Sequence, residues 1–123
     1  MNTAARCLHV LVVDDEPLIR WSIAETLGAA GHQVTEAQDA ASALKALADA
    51  QALDLVLLDF RLPDSNDLGL LASIRQTAPA ATVIMMTAFG TPDVTAGALK
   101  LGASRVLNKP FNMQDLEGIV RSL

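Results

Sequence analysis

Short apolar runs separated by longer amphipathic stretches organise this chain. Three of the runs, residues 10–13, 55–58 and 83–86, are continuous, and each gives way to a polar residue: Asp14, Asp59 and Thr87. An uninterrupted run of that length, without alternation, suits a strand covered on both faces of a parallel sheet. Residues 33–37 and 104–108 are more polar and are predicted as strands at the sheet edges.

Helical patterns fill the intervals. Residues 18–30 place Ile19, Ile23 and Leu27 on one face, with Pro17 suited to the first helical position. Asp39 is placed to cap a second helix, with Leu44, Leu47 and Ala48 on a common face. Residues 68–78 repeat the pattern through Leu71 and Ile74 and end near Pro79. Thr91 and Pro92 open a fourth helix that aligns Val94, Ala98 and Leu101, and Gly102 closes it. Asn112 is suited to cap a fifth, which carries Leu116, Ile119, Val120 and Leu123.

A strand followed by a helix, five times over, predicts a parallel sheet with right-handed crossovers and helices on both faces. Placing the three most apolar strands centrally gives the strand order 2-1-3-4-5. The chain then reverses direction between strands 1 and 3, and ligands in such sheets sit at the carboxyl ends of the strands beside that reversal. Asp14, Asp15 and Asp59 stand at those two ends.

Composition narrows the picture. The 123 residues fit one domain, 1–123, and with 51% apolar but only 3% aromatic residues its core must be built from aliphatic side chains and methionine. Nine basic residues against 14 acidic leave a net charge of −5 with no basic cluster, so no direct nucleic-acid binding by this domain is expected. No apolar run approaches the roughly 18 residues that span a bilayer, and a cytoplasmic location away from the membrane is expected. Cys7 is the only cysteine, so there is no disulfide framework, and its place beside an apolar run predicts a core residue.

The strand ends carry the candidate chemistry. Two carboxylates about 4 Å apart repel by on the order of 4 kcal/mol at an effective dielectric of 20, so a cation is expected among Asp14, Asp15 and Asp59. Hard oxygen ligands with no nearby His or Cys favour Mg²⁺ over Zn²⁺. Read alone, the run Asp14-Asp15-Glu16 equally suits the first turn of a helix. Strand ends 4 and 5 change the balance: Thr87 offers a hydroxyl beside a backbone amide, and Lys109 a compact positive charge. Those groups suit a phosphoryl group, which a carboxylate such as Asp59 could accept as nucleophile.

At this point the sequence resembles, over nearly its whole length, the receiver domains of two-component response regulators. The resemblance rests on Asp14-Asp15-Glu16, on Asp59 with Leu62-Pro63-Asp64, on Thr87-Ala88 and on Lys109-Pro110-Phe111, in that order and each after its own strand. It implies a flavodoxin-like (βα)5 fold and an acceptor, Asp59, that takes phosphoryl from a sensor histidine kinase. It further implies Mg²⁺ held by Asp15, Asp59 and the backbone carbonyl of Arg61, with Asp14 assisting through water, and phosphoryl oxygens held by Thr87 and Lys109. A cis Lys109-Pro110 bond is implied as well. In the family, phosphorylation draws the threonine inward and shifts the face made by helix 4, strand 5 and helix 5, a face that also serves homodimers. Such a domain is no enzyme in the ordinary sense, although slow autodephosphorylation accompanies it.

The segment 86–91 looks similar to receivers fused to the ATPase and DNA-binding domains of sigma-54-dependent activators. That likeness implies the N-terminal part of a longer regulator, an attached or partner effector, and transcription regulation as the output. Several positions depart from the pattern. Val106 stands where the family usually carries an aromatic ring that reorients with the threonine, Ser104 and Arg105 replace a commonly acidic stretch, and Asp67 stands where a glycine often lies. In the family the residues two beyond the acceptor and two beyond the threonine flank the path of hydrolytic water, and the resemblance, with the bulky Arg61 and Phe89 at those positions, implies slow dephosphorylation.

Three other readings compete. A haloacid-dehalogenase-type phosphatase requires a second Asp two residues after the nucleophile, where Arg61 stands. A flavin carrier requires a first loop that accepts phosphate, which Asp14-Asp15-Glu16 would repel. A receiver-like interaction domain working without phosphorylation is kept open by Val106. Trp21 reads as packing or partial surface, the pair Met85-Met86 as core, and His9 as a satisfied strand histidine, with neither His9 nor His32 having metal-ligand companions.

Overall fold

The computed structural model describes residues 7–49, 52–65, 68–88 and 90–123. Five strands alternate with five helices: β1 (His9–Val13), α1 (Pro17–Ala29), β2 (Gln33–Ala37), α2 (Ala40–Asp49), β3 (Leu55–Asp59), α3 (Gly69–Thr77), β4 (Thr82–Thr87), α4 (Pro92–Lys100), β5 (Arg105–Asn108) and α5 (Met113–Arg121). All strand pairs are parallel and the sheet order is β2-β1-β3-β4-β5, the flavodoxin-like arrangement.

The continuous apolar runs are explained by burial on both sides. Val10 and Val12 of β1, Leu55 and Leu57 of β3, and Ile84 and Met86 of β4 pack with Ile23 and Leu27 of α1 and Leu116 and Val120 of α5. The alternate residues Leu11, Val13, Val56, Leu58, Val83 and Met85 face α2, α3 and α4 through Leu47, Leu71, Ile74 and Ala98. A strand turns successive side chains to opposite faces, so only an unbroken apolar run can fill both layers. The edge strands each keep one side open and are accordingly more polar.

Local signals fix the helix ends. Thr91 Oγ1 accepts from the Val94 N–H at 3.2 Å, and Asn112 Oδ1 from the Asp115 N–H at 2.7 Å. Asp39 Oδ1 accepts from the Ser42 N–H at 2.7 Å, and the hydroxyl and N–H of Ser42 hold its carboxyl below the usual carboxylate range. Gly31 and Gly102 have φ of 98° and 107°, the left-handed turn that ends α1 and α4 without a Cβ clash.

Three expectations are corrected. Cys7 is exposed, because it precedes β1 and the inward turn begins only at Leu8. The buried face of α2 is Ala40, Ala43 and Leu47, with Leu44 and Ala48 turned out. Small residues there let the helix lie close to the sheet, which a count of large side chains overlooks. Leu101 and Leu123 are also exposed, since α4 and α5 end before them. His9 opens β1 with an exposed side chain, and its backbone N–H donates to Asp54 Oδ2 at 2.8 Å. Trp21 is 56% exposed, as its place on the outer side of α1 requires.

Candidate functional site

The carboxyl ends of β1, β3, β4 and β5 converge on one cleft of about 240 Å³, lined by Asp15, Glu16, Asp59, Arg61, Thr87, Ala88 and Lys109. Its floor is fixed by the sheet. The Asp14 N–H donates to the Ala37 carbonyl at 3.0 Å, and the Lys109 N–H donates to the Thr87 carbonyl at 2.8 Å, so the ladder continues one residue past the strands and aims these side chains upward. The Lys109-Pro110 peptide is cis.

Asp14, Asp59 and Thr87 are the polar residues buried at these ends. One oxygen of Asp14 accepts from the Glu16 N–H at 2.9 Å, and the other from Lys109 Nζ at 2.9 Å. Its backbone carbonyl accepts from the Arg20 guanidinium, which also pairs with Glu36 at 3.1 Å. Lys109 Nζ reaches Asp59 Oδ2 at 3.4 Å and Glu16 Oε1 at 3.2 Å. Asp15 is exposed at the rim, and carboxylate oxygens of Asp14, Asp15 and Asp59 all lie within 4.8 Å of one another.

The electrostatics follow from that crowding. Burial, and then the charge of Asp14, push the Asp59 carboxyl up to about 6, while Lys109 and the Arg61 N–H pull it partly back. For Lys109 burial acts downward, but the bond to Asp14 and the charges of Asp59 and Asp14 prevail and raise its pKa. Three carboxylates, Asp14, Glu16 and Asp59, thus face one ammonium with Asp15 beside them at the rim, and the donor set is all oxygen. A small hard divalent cation fits that set, with the three aspartates to hold it.

The structure therefore brings together Asp14, Asp15, Asp59, Thr87 and Lys109 as the sequence predicts, with Arg61 on the wall. Phe89 and Asp67 lie outside the described residues. Two partnerships escape a sequence reading. Glu16 joins Lys109 across 93 positions, and Asp64 caps α2 by accepting from the Ala40 and Ala41 N–H groups at 2.8 and 3.1 Å. The only local signal for the second was Asp64 in the turn after β3, where Leu62 and Ser65 bridge.

Comparison with known proteins decides the family. The description "Response regulator receiver domain" matches residues 10–121. The chain is a response regulator receiver domain. It is 38% identical over 111 residues to the DNA-binding transcriptional regulator NtrC of Escherichia coli K12, covering 90% of the chain and 24% of that protein. To the response regulator protein PilR of Pseudomonas aeruginosa it is 40% identical over 110 residues, 89% of the chain and 24% of PilR. The receiver domain thus spans about a quarter of the length of these curated relatives.

Among solved structures, NtrX from Brucella abortus in complex with ADP superposes with a TM-score of 0.84 at 35% identity, over 95% of this chain and 26% of that one. A CheY-like receiver domain protein from Methanospirillum hungatei reaches 0.89 at 27% identity, over 95% and 93%. The acidic triad of this receiver domain is of the kind that binds Mg²⁺ in receiver sites. No helix among the described residues is long and apolar enough to cross a membrane.

Proposed function

We propose that this receiver domain is the phosphoacceptor of a two-component system, taking a phosphoryl group from a sensor histidine kinase onto Asp59. The observation that carries the reading is the convergence on Asp59 of the Asp14 and Asp15 carboxylates, within 4.8 Å, and of Lys109 at 3.4 Å. An Asp59 oxygen attacks the phosphorus, and the phosphorus–nitrogen bond of the phosphohistidine breaks. The imidazole nitrogen leaves with the electron pair, and the product on this chain is an acyl phosphate. Lys109 Nζ takes one phosphoryl oxygen and the Thr87 hydroxyl another, each placed by its strand end. Asp15, Asp59 and the Arg61 carbonyl would hold Mg²⁺, with Asp14 assisting through water, and the bound ion would supply charge neutralisation for the oxygens in transfer.

The chain is then a substrate of its kinase and no enzyme in its own right, with slow loss of the phosphoryl to water. A phosphatase of the dehalogenase type needs a second Asp two residues beyond the nucleophile, and Arg61 occupies that place. NtrC and PilR are named as regulators, and NtrC as DNA-binding and transcriptional. From that likeness, and from the resemblance of residues 86–91 to sigma-54-dependent activators, we read the chain as the N-terminal receiver of a longer transcription regulator in the cytoplasm, whose effector, of the ATPase and DNA-binding kind, receives the signal.

The signal leaves through α4, β5 and α5, the face that also serves a homodimer. In α4 only Ala98 is buried, against two or three residues in every other helix, so α4 is the helix cheapest to shift. Val106 is half-buried against the core and has no ring to swing, so the movement proceeds without an aromatic gate. A small phosphodonor with Mg²⁺, followed by intact mass, tests the acceptor. One phosphoryl per chain is expected, and none in Asp59→Asn. No adduct with any donor would favour an interaction domain that works without phosphorylation, and unchanged α4 amide shifts in the adduct would refute the output route.

A further inference from the structure

The ammonium of Lys109 has three N–H donors, and three carboxylates surround it: Asp14 at 2.9 Å, Glu16 at 3.2 Å and Asp59 at 3.4 Å. A phosphoryl group on Asp59 requires a donor that one of them now engages. Asp14 is fully buried, and its other oxygen is committed to the Glu16 N–H, so releasing it would strand a charge away from water. Asp59 is the group modified. The Glu16 side chain is 57% exposed, and water can replace the lysine there at little cost.

We propose that Glu16 is a positioning residue that holds Lys109 in the resting site and competes with the phosphoryl group for it, setting how firmly the modified state is held. The inference rests on the reading of Asp59 as acceptor. Glu16 acts through Lys109 and through its own negative charge, which opposes an arriving phosphoryl anion across the same cleft. Its side chain makes no capping bond, and the α1 end is closed by its backbone carbonyl, which accepts from the Arg20 N–H at 3.0 Å. Glu16→Gln therefore removes the charge and leaves the helix start intact.

The test uses beryllium trifluoride as the phosphoryl mimic, with Mg²⁺ affinity first measured for each protein and Mg²⁺ then kept saturating. At low ionic strength Glu16→Gln binds the mimic roughly two- to fivefold tighter than the wild type, the scale of an exposed ion pair. Raising the salt to about 0.5 M closes the gap, because screening weakens the competing pair. In Mg²⁺-free protein the Lys109 side-chain NMR shifts move in Glu16→Gln and stay in place in the control Glu25→Gln. Equal or weaker binding by Glu16→Gln, a gap that salt leaves untouched, or unmoved Lys109 shifts overturns the role of Glu16. A wild type that binds no mimic at all overturns the acceptor reading itself, and this inference with it.

Discussion

Replacing Asp59 by Asn should stabilise the cation-free protein at neutral pH. The carboxyl is nearly covered at the end of β3 and crowded by Asp14, which lifts its pKa from 3.8 to about 6. A rise of about two units corresponds to roughly 3 kcal/mol of native-state penalty on the ionised form. The cleft is open to water, which screens part of that, so about 1 to 2 kcal/mol is expected. Asn keeps the shape, and Lys109 keeps Asp14 and Glu16 as partners. The sign follows from linkage. Between pH 3.8 and about 6 the folded protein holds a proton that the unfolded chain has lost, so wild-type stability falls as pH rises through that window. Urea denaturation in chelator should thus show Asp59→Asn ahead at pH 7 and the gap closing toward pH 4. A variant no more stable than wild type at pH 7, or a gap independent of pH, would refute the reasoning.

Mg²⁺ at ten times its Kd should stabilise the wild type by about 1.4 kcal/mol and Asp59→Asn by much less, measured by thermal unfolding with and without chelator. Thr91→Ala removes the acceptor for the Val94 N–H and should cost about 1 kcal/mol by urea denaturation, with faster amide exchange confined to α4. Gly31→Ala and Gly102→Ala separate backbone strain from crowding. Each forces a side chain to positive φ at a cost of about 1 to 2 kcal/mol, but a Cβ at Gly31 meets open space whereas one at Gly102 meets Arg75 Nε at 2.8 Å. Arg75 also donates to the Ala81 carbonyl, so Gly102→Ala should be the costlier by about 1 kcal/mol, and equal losses would contradict that difference.

The sheet was readable from the sequence because β1, β3 and β4 must fill two layers, and an unbroken apolar run is the mark of that demand. Cap residues Asp39, Thr91 and Asn112 were readable because their hydrogen bonds close within three residues. What sequence spacing could not reveal depends on distant partners. Asp64 caps a helix 24 positions earlier, and Glu16 meets Lys109 only after all four strand ends are assembled. The periodicity of α2 points to Leu44, whereas helix-to-sheet proximity favours Ala43, a preference set by the neighbouring layer and not by the helix's own sequence. The conjunction of Asp14, Asp15, Asp59, Thr87 and Lys109 was visible because each directly ends or follows a recognisable strand.

The central claim is that Asp59 forms an acyl phosphate. Reductive trapping of that bond after exposure to a small phosphodonor, followed by peptide mass mapping, addresses it most directly. The modification should fall on Asp59 alone, require Mg²⁺, and diminish strongly in Lys109→Ala. A trapped label on any other residue, or one that persists in Asp59→Asn, would contradict the account.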